Sequence, residues 1–174
     1  MNFLTDASYR PCLRWAVLLA AGIAISQGCS REEPTVDWFA QLKSTDPNVR
    51  YAAVQQLGSS GKDTDRCVRA LMPMLQDKED SVRIGTTYAL AKIGPAGAPA
   101  TSSLVQALKD KNKQVRIGAA YALPAMGPKA QEALSSLQYA SQDFDPDVRN
   151  QAAKAIQQIQ IARQFRDGNR TRTK

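Results

Sequence analysis

Histidine is absent from this sequence of 174 residues. The commonest general base and metal ligand of proteins is therefore missing, and motifs that pair histidine with glutamate around a metal ion cannot occur. Aromatic residues make up only 6% of the chain, which leaves little material for a large, rigid ligand pocket. The three cysteines, Cys12, Cys29 and Cys67, have no Cys-x-x-Cys spacing and suit neither a disulfide framework nor a metal cluster. We therefore expect no metal, no cofactor and no catalytic residues.

The sequence also lacks a hydrophobic run long enough to cross a bilayer. The longest apolar stretch covers residues 15–25, whereas a membrane-spanning helix needs about 20 apolar residues. Arg10 and Arg14 precede this stretch, and small residues follow it directly. A short apolar segment between a positive leader and small residues is typical of an export signal, so we expect residues 1–28 to be a signal peptide.

The tetrapeptide Ser-Gln-Gly-Cys that ends at Cys29 resembles the bacterial lipobox, where signal peptidase II cuts before a lipidated cysteine. The resemblance implies that Cys29 anchors an exported lipoprotein, in the outer membrane because Ser30 is not aspartate. Residues 29–35 would be the lipidated cysteine and a short tether, and genomic DNA would be excluded as a partner. Ser26 departs from the pattern, which usually has an aliphatic residue there. Cleavage by ordinary signal peptidase near Gly28 and an uncleaved N-terminus are the alternatives.

The net charge of +7 is unevenly distributed along the chain. More than half of the excess lies in residues 162–174, where five basic residues accompany one acidic residue. We predict a separate basic C-terminal tail there. It is either a solvated chain end or a segment attracted to anionic lipid headgroups or another polyanion. The basic residues are Arg163, Arg166, Arg170, Arg172 and Lys174.

One strong regularity stands beside these absences, a Val-Arg step that recurs every 33 residues. Its copies begin at Val49, Val82, Val115 and Val148. A Leu or Ile follows each valine by eight positions, and in the first three copies a Gly follows it by twelve. Several independent columns with one period indicate a tandem helical repeat whose units pack against their neighbours. The predicted fold is all-α, a short α-solenoid (an α/α superhelix) of about four two-helix repeats over residues 36–161.

Each unit is predicted to contain two helices joined by a short turn. In the second unit, apolar residues at helical spacing predict a first helix over residues 65–76 and a second over residues 82–93. The equivalents are residues 36–43 and 48–57 in the first unit, 98–109 and 115–126 in the third, and 129–141 and 148–164 in the fourth.

The turn chemistry agrees with these helices. Aspartate before proline starts a helix well, because the aspartate caps the first turn and proline needs no N–H there; this pair occurs at Asp46 and Asp145. Glycine before proline ends a helix, and this pair occurs at Gly94 and Gly127. Pro124 falls inside a predicted helix and should bend it locally.

An aspartate precedes the valine by five positions in three copies, and the Ala-rich helices that follow end in Leu-x-x-Ile-Gly or Leu-x-x-Met-Gly. With these residues the array resembles the HEAT-repeat family, and within it the short phycobilisome-lyase HEAT-like subclass. The resemblance implies a ladder of aspartates and arginines between adjacent units. The first unit departs from the pattern, because Ser44 stands where the acid belongs. The matching ladder residues are Arg50, Asp77, Arg83, Asp110, Arg116, Asp143 and Arg149.

One face of the second helices carries large side chains that a solvated face seldom has. At 100° per residue, positions two, five, six and nine after each valine point away from the apolar core stripe. In the HEAT-like solenoids that the chain resembles, second helices line the concave surface. The hypothesis is an amphipathic strip that binds a protein or peptide, because tyrosine supplies contact area at low entropic cost. The alternative is packing between neighbouring second helices. The strip consists of Tyr51, Ile84, Tyr88, Ile117 and Tyr121.

Two classes of function remain. The first is a non-enzymatic interaction scaffold or adaptor, because packing accounts for all of the repeat columns. The lipidated Cys29 would tether this scaffold to the bacterial envelope. The alternative is a bilin lyase-like enzyme or enzyme accessory, since phycobilisome lyases hold a bilin with the units that this array resembles. The absence of histidine and the exported start argue against it, and Cys67 beside the core position Val68 suits a small buried side chain. Self-association of so small an array stays open.

The lipobox hypothesis predicts that the mature chain begins at an acylated Cys29. Mass spectrometry of the N-terminus isolated from membranes should find this residue with its acyl chains. A tryptic peptide that still joins Gly28 to Cys29 would contradict the hypothesis.

Overall fold

The computed structural model describes residues 36–172, with side chains to residue 168; the predicted signal peptide, lipidated cysteine and tether lie outside them. Every regular element in the described part of the chain is a helix, so the predicted all-α solenoid is confirmed. The α-helices are α1 (Trp38–Gln41), α2 (Pro47–Ser59), α3 (Thr64–Leu71), α4 (Asp80–Ile93), α5 (Thr101–Ala107), α6 (Lys113–Ala122), α7 (Leu134–Ala140) and α8 (Pro146–Arg172). Three 3₁₀ segments accompany them, at Met72–Gln76, Gly94–Ala100 and Leu123–Ala133.

The helices form two layers. The even-numbered helices α2, α4, α6 and α8 pack side by side in chain order, and each also packs on the shorter helix that precedes it. The shorter helices and the 3₁₀ segments form the other layer and contact one another across unit boundaries. Each unit thus buries its apolar stripe against its own partner helix and against the next unit, as the 33-residue period predicts.

The core follows the repeat columns. Leu71, Leu90, Leu104, Leu123 and Leu137 are all fully buried, and each contributes about 1.5–3 kcal/mol by its removal from water. The column valines Val82, Val115 and Val148 are also fully buried. Val49 is only half-buried, because the helix that should cover it, α1, has just four residues.

Two prolines make their α-helices shorter than the periodicity predicts. α3 ends at Leu71 and continues as 3₁₀ structure through Pro73, and α6 ends at Ala122 before Pro124. Proline has no N–H for the i to i−4 bond, and the tighter 3₁₀ turn accommodates this loss. The predicted helices over residues 65–76 and 115–126 are therefore each part α-helix and part 3₁₀ helix.

The helix ends follow the predicted turn chemistry. Asp46 Oδ1 accepts a hydrogen bond of 2.8 Å from the N–H of Asn48 at the start of α2. Gly94 has φ 73° and ψ −141°, and Gly127 has φ 63° and ψ −135°. This positive-φ conformation differs from the left-handed helical one and is open almost only to glycine, so the chain can turn sharply between units.

α8 is longer than predicted and runs without a break to Arg172. The periodicity placed its end near residue 164. The extension contains an i,i+4 ion pair in which Arg163 Nε lies 3.6 Å from Asp167 Oδ2, and such pairs favour continued helix. The predicted tail, residues 162–174, is thus helical as far as the structure describes it, and its side chains to residue 168 are exposed. Within residues 36–172, no helix has the length and apolar character needed to cross a bilayer.

α2 and α4 approach so closely that only glycine fits at their crossing. A Cβ at Gly58 would lie 2.6 Å from Ala89 Cβ and 2.8 Å from Ala89 Cα. Because part of the clash is with backbone, no side-chain rotation relieves it. Gly58→Ala should therefore lower the free energy of unfolding by about 1–3 kcal/mol, measured by denaturant titration.

Gly168→Ala is the matched control, because a Cβ there meets no atom within 4 Å and α8 continues through it. This change should be neutral or stabilise by up to about 1 kcal/mol, since alanine favours helix more than glycine does. Equal effects of the two substitutions would show that the α2–α4 contact is not as close as described.

Candidate protein-interaction surface

A ladder of ion pairs links each unit to the next. Arg50 Nε lies 2.7 Å from Asp77 Oδ2, and its Nη2 donates to Asp77 Oδ1 over 2.7 Å. Arg83 makes the same two-pronged contact with Asp110, at 2.8 Å and 3.0 Å. Arg116 makes it with Asp143 at the same two distances. This bidentate geometry is the strongest that a guanidinium and a carboxylate form.

The same side chains also hold the turns within each unit. The third nitrogen of Arg83, Nη1, donates to the carbonyl oxygens of Asp77 and Lys78 in the turn before α4. Asp77 Oδ1 accepts the N–H of Glu79 in that turn, over 2.9 Å. One arginine and one aspartate per unit therefore fix the turn and join it to the preceding unit.

The two ends of the ladder differ from its middle. In the first unit Ser44 Oγ accepts the N–H of Asp46 over 3.2 Å, so serine keeps the turn contact without the acid. In the fourth unit Arg149 Nη1 donates to the carbonyl oxygens of Asp143 and Phe144. No carboxylate in the described part of the chain pairs with Arg149, and its side chain is exposed.

The ladder residues perturb one another electrostatically. The hydrogen bonds from Arg50 lower the pKa of Asp77, and the N–H of Glu79 lowers it further. The hydrogen bond to Asp77 raises the pKa of Arg50, and that to Asp110 raises the pKa of Arg83. The side chains of Arg50, Arg83 and Arg116 are 5–6% exposed, so these charges are buried only because each one is paired.

A second set of polar contacts runs beside the ladder and was not predicted. Asp80 accepts hydrogen bonds from Arg83 in its own unit and from Asn112 in the next. Lys113 Nζ lies 3.1 Å from Asp145 Oδ2, again in the next unit. Asn112 lowers the pKa of Asp80, and Arg83 does so to a smaller extent. A complementary pair separated by 32 residues, one less than the repeat, is the sequence signal that identifies such contacts.

The predicted strip lies across three neighbouring second helices. Tyr51, Tyr88 and Tyr121 expose 36%, 44% and 53% of their surfaces, whereas Ile84 and Ile117 are half-buried. The rings of Tyr88 and Tyr121 are 5.7 Å apart between centroids and tilted by 48°, a favourable arrangement for an aromatic pair. The structure thus brings α4 and α6 into contact through aromatic side chains that remain accessible.

Tyr51 joins this surface by a different contact. Its ring lies against the backbone of Gly85 in α4, where a Cβ would come within 2.6 Å of the ring. Gln55 Nε2 donates to Tyr51 Oη over 2.7 Å. A depression of about 500 Å³ lies between the two helices, and its lining includes Tyr51, Ile84, Tyr88 and Lys92. The residues of the strip therefore pack between neighbouring helices and also leave a depression open to solvent.

The helical-wheel prediction was wrong for position five after the first three valines. Val54, Thr87 and Ala120 were expected to point outwards, but all three are fully buried. The reason is the close packing of the second helices, which covers their flanks as well as their inward faces. Thr87, for example, lies directly against Gly118 of the next helix.

A further depression, of about 760 Å³, lies at the turn between α7 and α8 and was not predicted. Tyr139 and Phe144 line it and are among the most exposed large side chains described. Arg116 stacks over the Phe144 ring, 4.6 Å from its centroid. The third unit has Gln106 and Lys111 at the matching positions. At these two positions the fourth unit has aromatic residues and the third unit has polar ones. This difference is the sequence signal that could have identified the surface.

The remaining chemistry of the described residues is sparse. Cys67 is buried, as expected of a small apolar side chain, and its Sγ lies 3.4 Å from the carbonyl oxygen of Lys62. In residues 36–168 no three potential metal ligands from cysteine, aspartate and glutamate cluster together.

Stacked two-helix units joined by a turn-to-turn ladder define an α-solenoid repeat protein. A sequence profile of HEAT repeats matches residues 35–123 and 101–166. The chain belongs to the HEAT-repeat family. A search of the curated proteins finds no relative of this sequence.

Solved structures with a similar fold include natural and designed repeat proteins. An engineered protein is 23% identical to this chain, with a TM-score of 0.56. The match covers 72% of this chain and 62% of the engineered protein. A designed armadillo repeat protein in complex with the peptide (KR)4 is 19% identical with a TM-score of 0.59, covering 70% and 62%. The CpcE–CpcF complex of phycocyanin lyase from Nostoc sp. PCC7120 is 22% identical with a TM-score of 0.50, covering 70% and 63%. The chain spans less than two thirds of each structure, and identities this low establish the fold alone.

The ladder predicts a specific response to acid. Because its folded-state pKa is lowered, Asp77 stabilises the fold fully above its unfolded pKa, near 3.8. That contribution is lost as the pH falls from there through the folded pKa. Asp77→Asn should therefore destabilise the protein at pH 7 and make its free energy of unfolding less dependent on pH below about 4. Urea unfolding at a series of pH values measures both effects.

Asp65→Asn is the control, because this exposed carboxylate on α3 lies outside the ladder. It should change the pH dependence of stability little. The same flattening in both variants would mean that acid sensitivity comes from overall charge and not from the ladder.

Proposed function

We propose that this chain is a non-enzymatic protein-interaction scaffold, held at the bacterial envelope by a lipid on Cys29. A protein or peptide partner binds the second-helix face, on the strip Tyr51, Ile84, Tyr88, Ile117 and Tyr121. The observation that carries the proposal is the exposed Tyr88–Tyr121 pair beside an open depression. Paired tyrosines supply rigid apolar area, and their hydroxyl groups keep the empty surface hydrated.

A comparison of equivalent positions in the four units supports a binding role for this face. Stacking places the same demands on every unit, so the ladder and core columns recur. The strip does not recur evenly, because the fourth unit has Asn150 and Lys154 where the third has Ile117 and Tyr121. Apolar character confined to one stretch of the array favours contact with one segment of a partner.

The chemistry of the depression limits the partner. Lys92 is the charged residue in its lining, and tyrosine, isoleucine, glutamine and serine side chains supply most of the remainder. The designed armadillo protein with a similar fold binds a basic peptide, but this lining offers no carboxylate to such a ligand. We expect a partner segment with apolar or aromatic side chains and neutral or weakly acidic character.

The envelope location rests on the sequence of the first 29 residues. A lipid on Cys29 would confine the scaffold to a membrane surface, since two or more acyl chains anchor a protein stably. Confinement raises the effective concentration of scaffold and partner when both are at the same membrane. The basic residues after residue 161 would add attraction to anionic headgroups.

The test begins by capturing the partner where the proposal places it. A photo-crosslinking residue at Gln55, which is exposed and borders the depression, should give a crosslinked protein in envelope membranes that mass spectrometry identifies. Binding of that purified partner should then weaken by about 30-fold or more in the double variant Tyr88→Ala with Tyr121→Ala. The reason is that aromatic anchors at an interface centre contribute about 2 kcal/mol or more.

Tyr139→Ala is the matched control, because it removes an even more exposed tyrosine, on α7. It should leave affinity unchanged. The double variant should remain folded, with its thermal stability lowered only by the loss of the Tyr88–Tyr121 contact. Equal affinity of the parent and the double variant would exclude the strip. A visible absorbance band after incubation with bilins would instead favour the lyase-like alternative.

A further inference from the structure

The fourth unit, which is the last in the described residues, exposes a surface that corresponds to one the third unit buries, and α8 continues as an unbroken helix to Arg172. In the third unit Arg116, Ala120 and Leu123 are 4%, 0% and 0% exposed, and both α6 and the 3₁₀ segment that begins at Leu123 pack on α8 of the fourth unit. The residues 33 positions later are Arg149, Ala153 and Ile156 on α8. Arg149 and Ala153 are exposed, and Ile156 is half-buried. Together, these three residues form the terminal face of the array.

The terminal face keeps the shape that receives another unit. Arg149 Nη1 donates to the carbonyl oxygens of Asp143 and Phe144 over 2.8 Å and 3.0 Å. Arg116 makes the same bonds to Asp110 and Lys111, over 2.9 Å and 3.3 Å. The guanidinium of Arg149 is therefore fixed as in the inner units. Its remaining edge, Nε and Nη2, is the edge that binds a carboxylate in every inner unit.

We propose that the terminal face docks an acidic helix–turn segment of a partner protein, which completes the ladder with a carboxylate on Arg149. A guanidinium already held by its own turn loses little freedom when the carboxylate arrives, so the contact is preorganised. Ala153 and Ile156 add a small apolar surface at the positions where the third unit buries Ala120 and Leu123.

Charge selects the occupant. Basic residues on α8 outnumber acidic ones, with Lys154, Arg163 and Arg166 in addition to Arg149. The opposite end of a second copy offers Ser44 at the ladder position in place of an acid, so head-to-tail stacking of copies would leave Arg149 unpaired. Two terminal faces meeting each other would oppose two arginines. A partner segment with an aspartate or glutamate and net negative charge satisfies the surface, whereas another copy of this chain does not.

The probe is a synthetic peptide that copies residues 134–149, the segment that presents Asp143 to Arg116 within the array. It is acidic overall, because it contains three aspartates and one arginine. The matched probe carries Asp143→Asn. Fluorescence anisotropy with the full chain should show that the aspartate peptide binds about tenfold or more tightly than the asparagine peptide, as expected for a hydrogen-bonded charge pair.

A double-mutant cycle assigns that difference to one residue. In Arg149→Gln the two peptides should bind equally, whereas in Arg69→Gln, which removes an exposed charge on α3, the tenfold difference should remain. Ala153→Trp should block both peptides sterically without unfolding the chain, because this position is exposed. Tyr88→Ala should have no effect, which separates this surface from the strip.

Three results would overturn the proposal. The first is failure of the full chain to bind the aspartate peptide. The second is an aspartate preference that survives in Arg149→Gln, or that Arg69→Gln abolishes equally. The third is sedimentation of the full chain as a dimer that Arg149→Gln dissociates, which would identify the occupant as a second copy.

Discussion

The bidentate pair between an arginine of one unit and an aspartate 27 residues further on is the interaction on which the rest of the structure depends. A buried guanidinium is costly unless each of its nitrogens has a partner. Here two nitrogens bind the carboxylate and the third binds two turn carbonyls. The aspartate, in turn, holds the backbone of its own loop. Because one contact fixes both the turn and the neighbouring unit, it helps to hold each second helix against the next.

The close packing of the second helices explains where the chain can carry function. Close helix packing requires Gly58, Gly85 and Gly118 at the crossings and buries the flanks of each second helix. Only the outermost positions of these helices remain free to vary, and these carry the tyrosines of the strip. The exposed aromatic pair at the turn between α7 and α8 follows the same logic. Departures from the repeat at exposed positions are the candidates for partner contacts, because stacking does not account for them.

A linear array also has two ends, and they are chemically unlike. The first unit replaces the ladder acid by Ser44 and so keeps its turn without a charge. The last unit keeps its arginine, held in position by its turn, and exposes it on a basic helix. Since each unit of a solenoid contacts only its neighbours, an end face retains the shape of an internal interface. The proposed strip and the proposed terminal face lie at separate places on the array, so the two proposals describe two different contacts.

The 33-residue period by itself determined the all-α solenoid, the number of units and the core columns, because these features recur and a recurring demand leaves a recurring residue. The resemblance to HEAT repeats indicated which residues form the ladder, and the structure showed which of them pair. Local rules also identified the caps at Asp46 and Asp145 and the sharp turns at Gly94 and Gly127. Only the tertiary structure decided the burial of Val54, Thr87 and Ala120, since a single-helix wheel does not contain the neighbouring helix. It also decided the contacts of Asp80 and Lys113 and the exposure of Arg149. The physical reason is that these depend on the distance between units, which no one unit encodes.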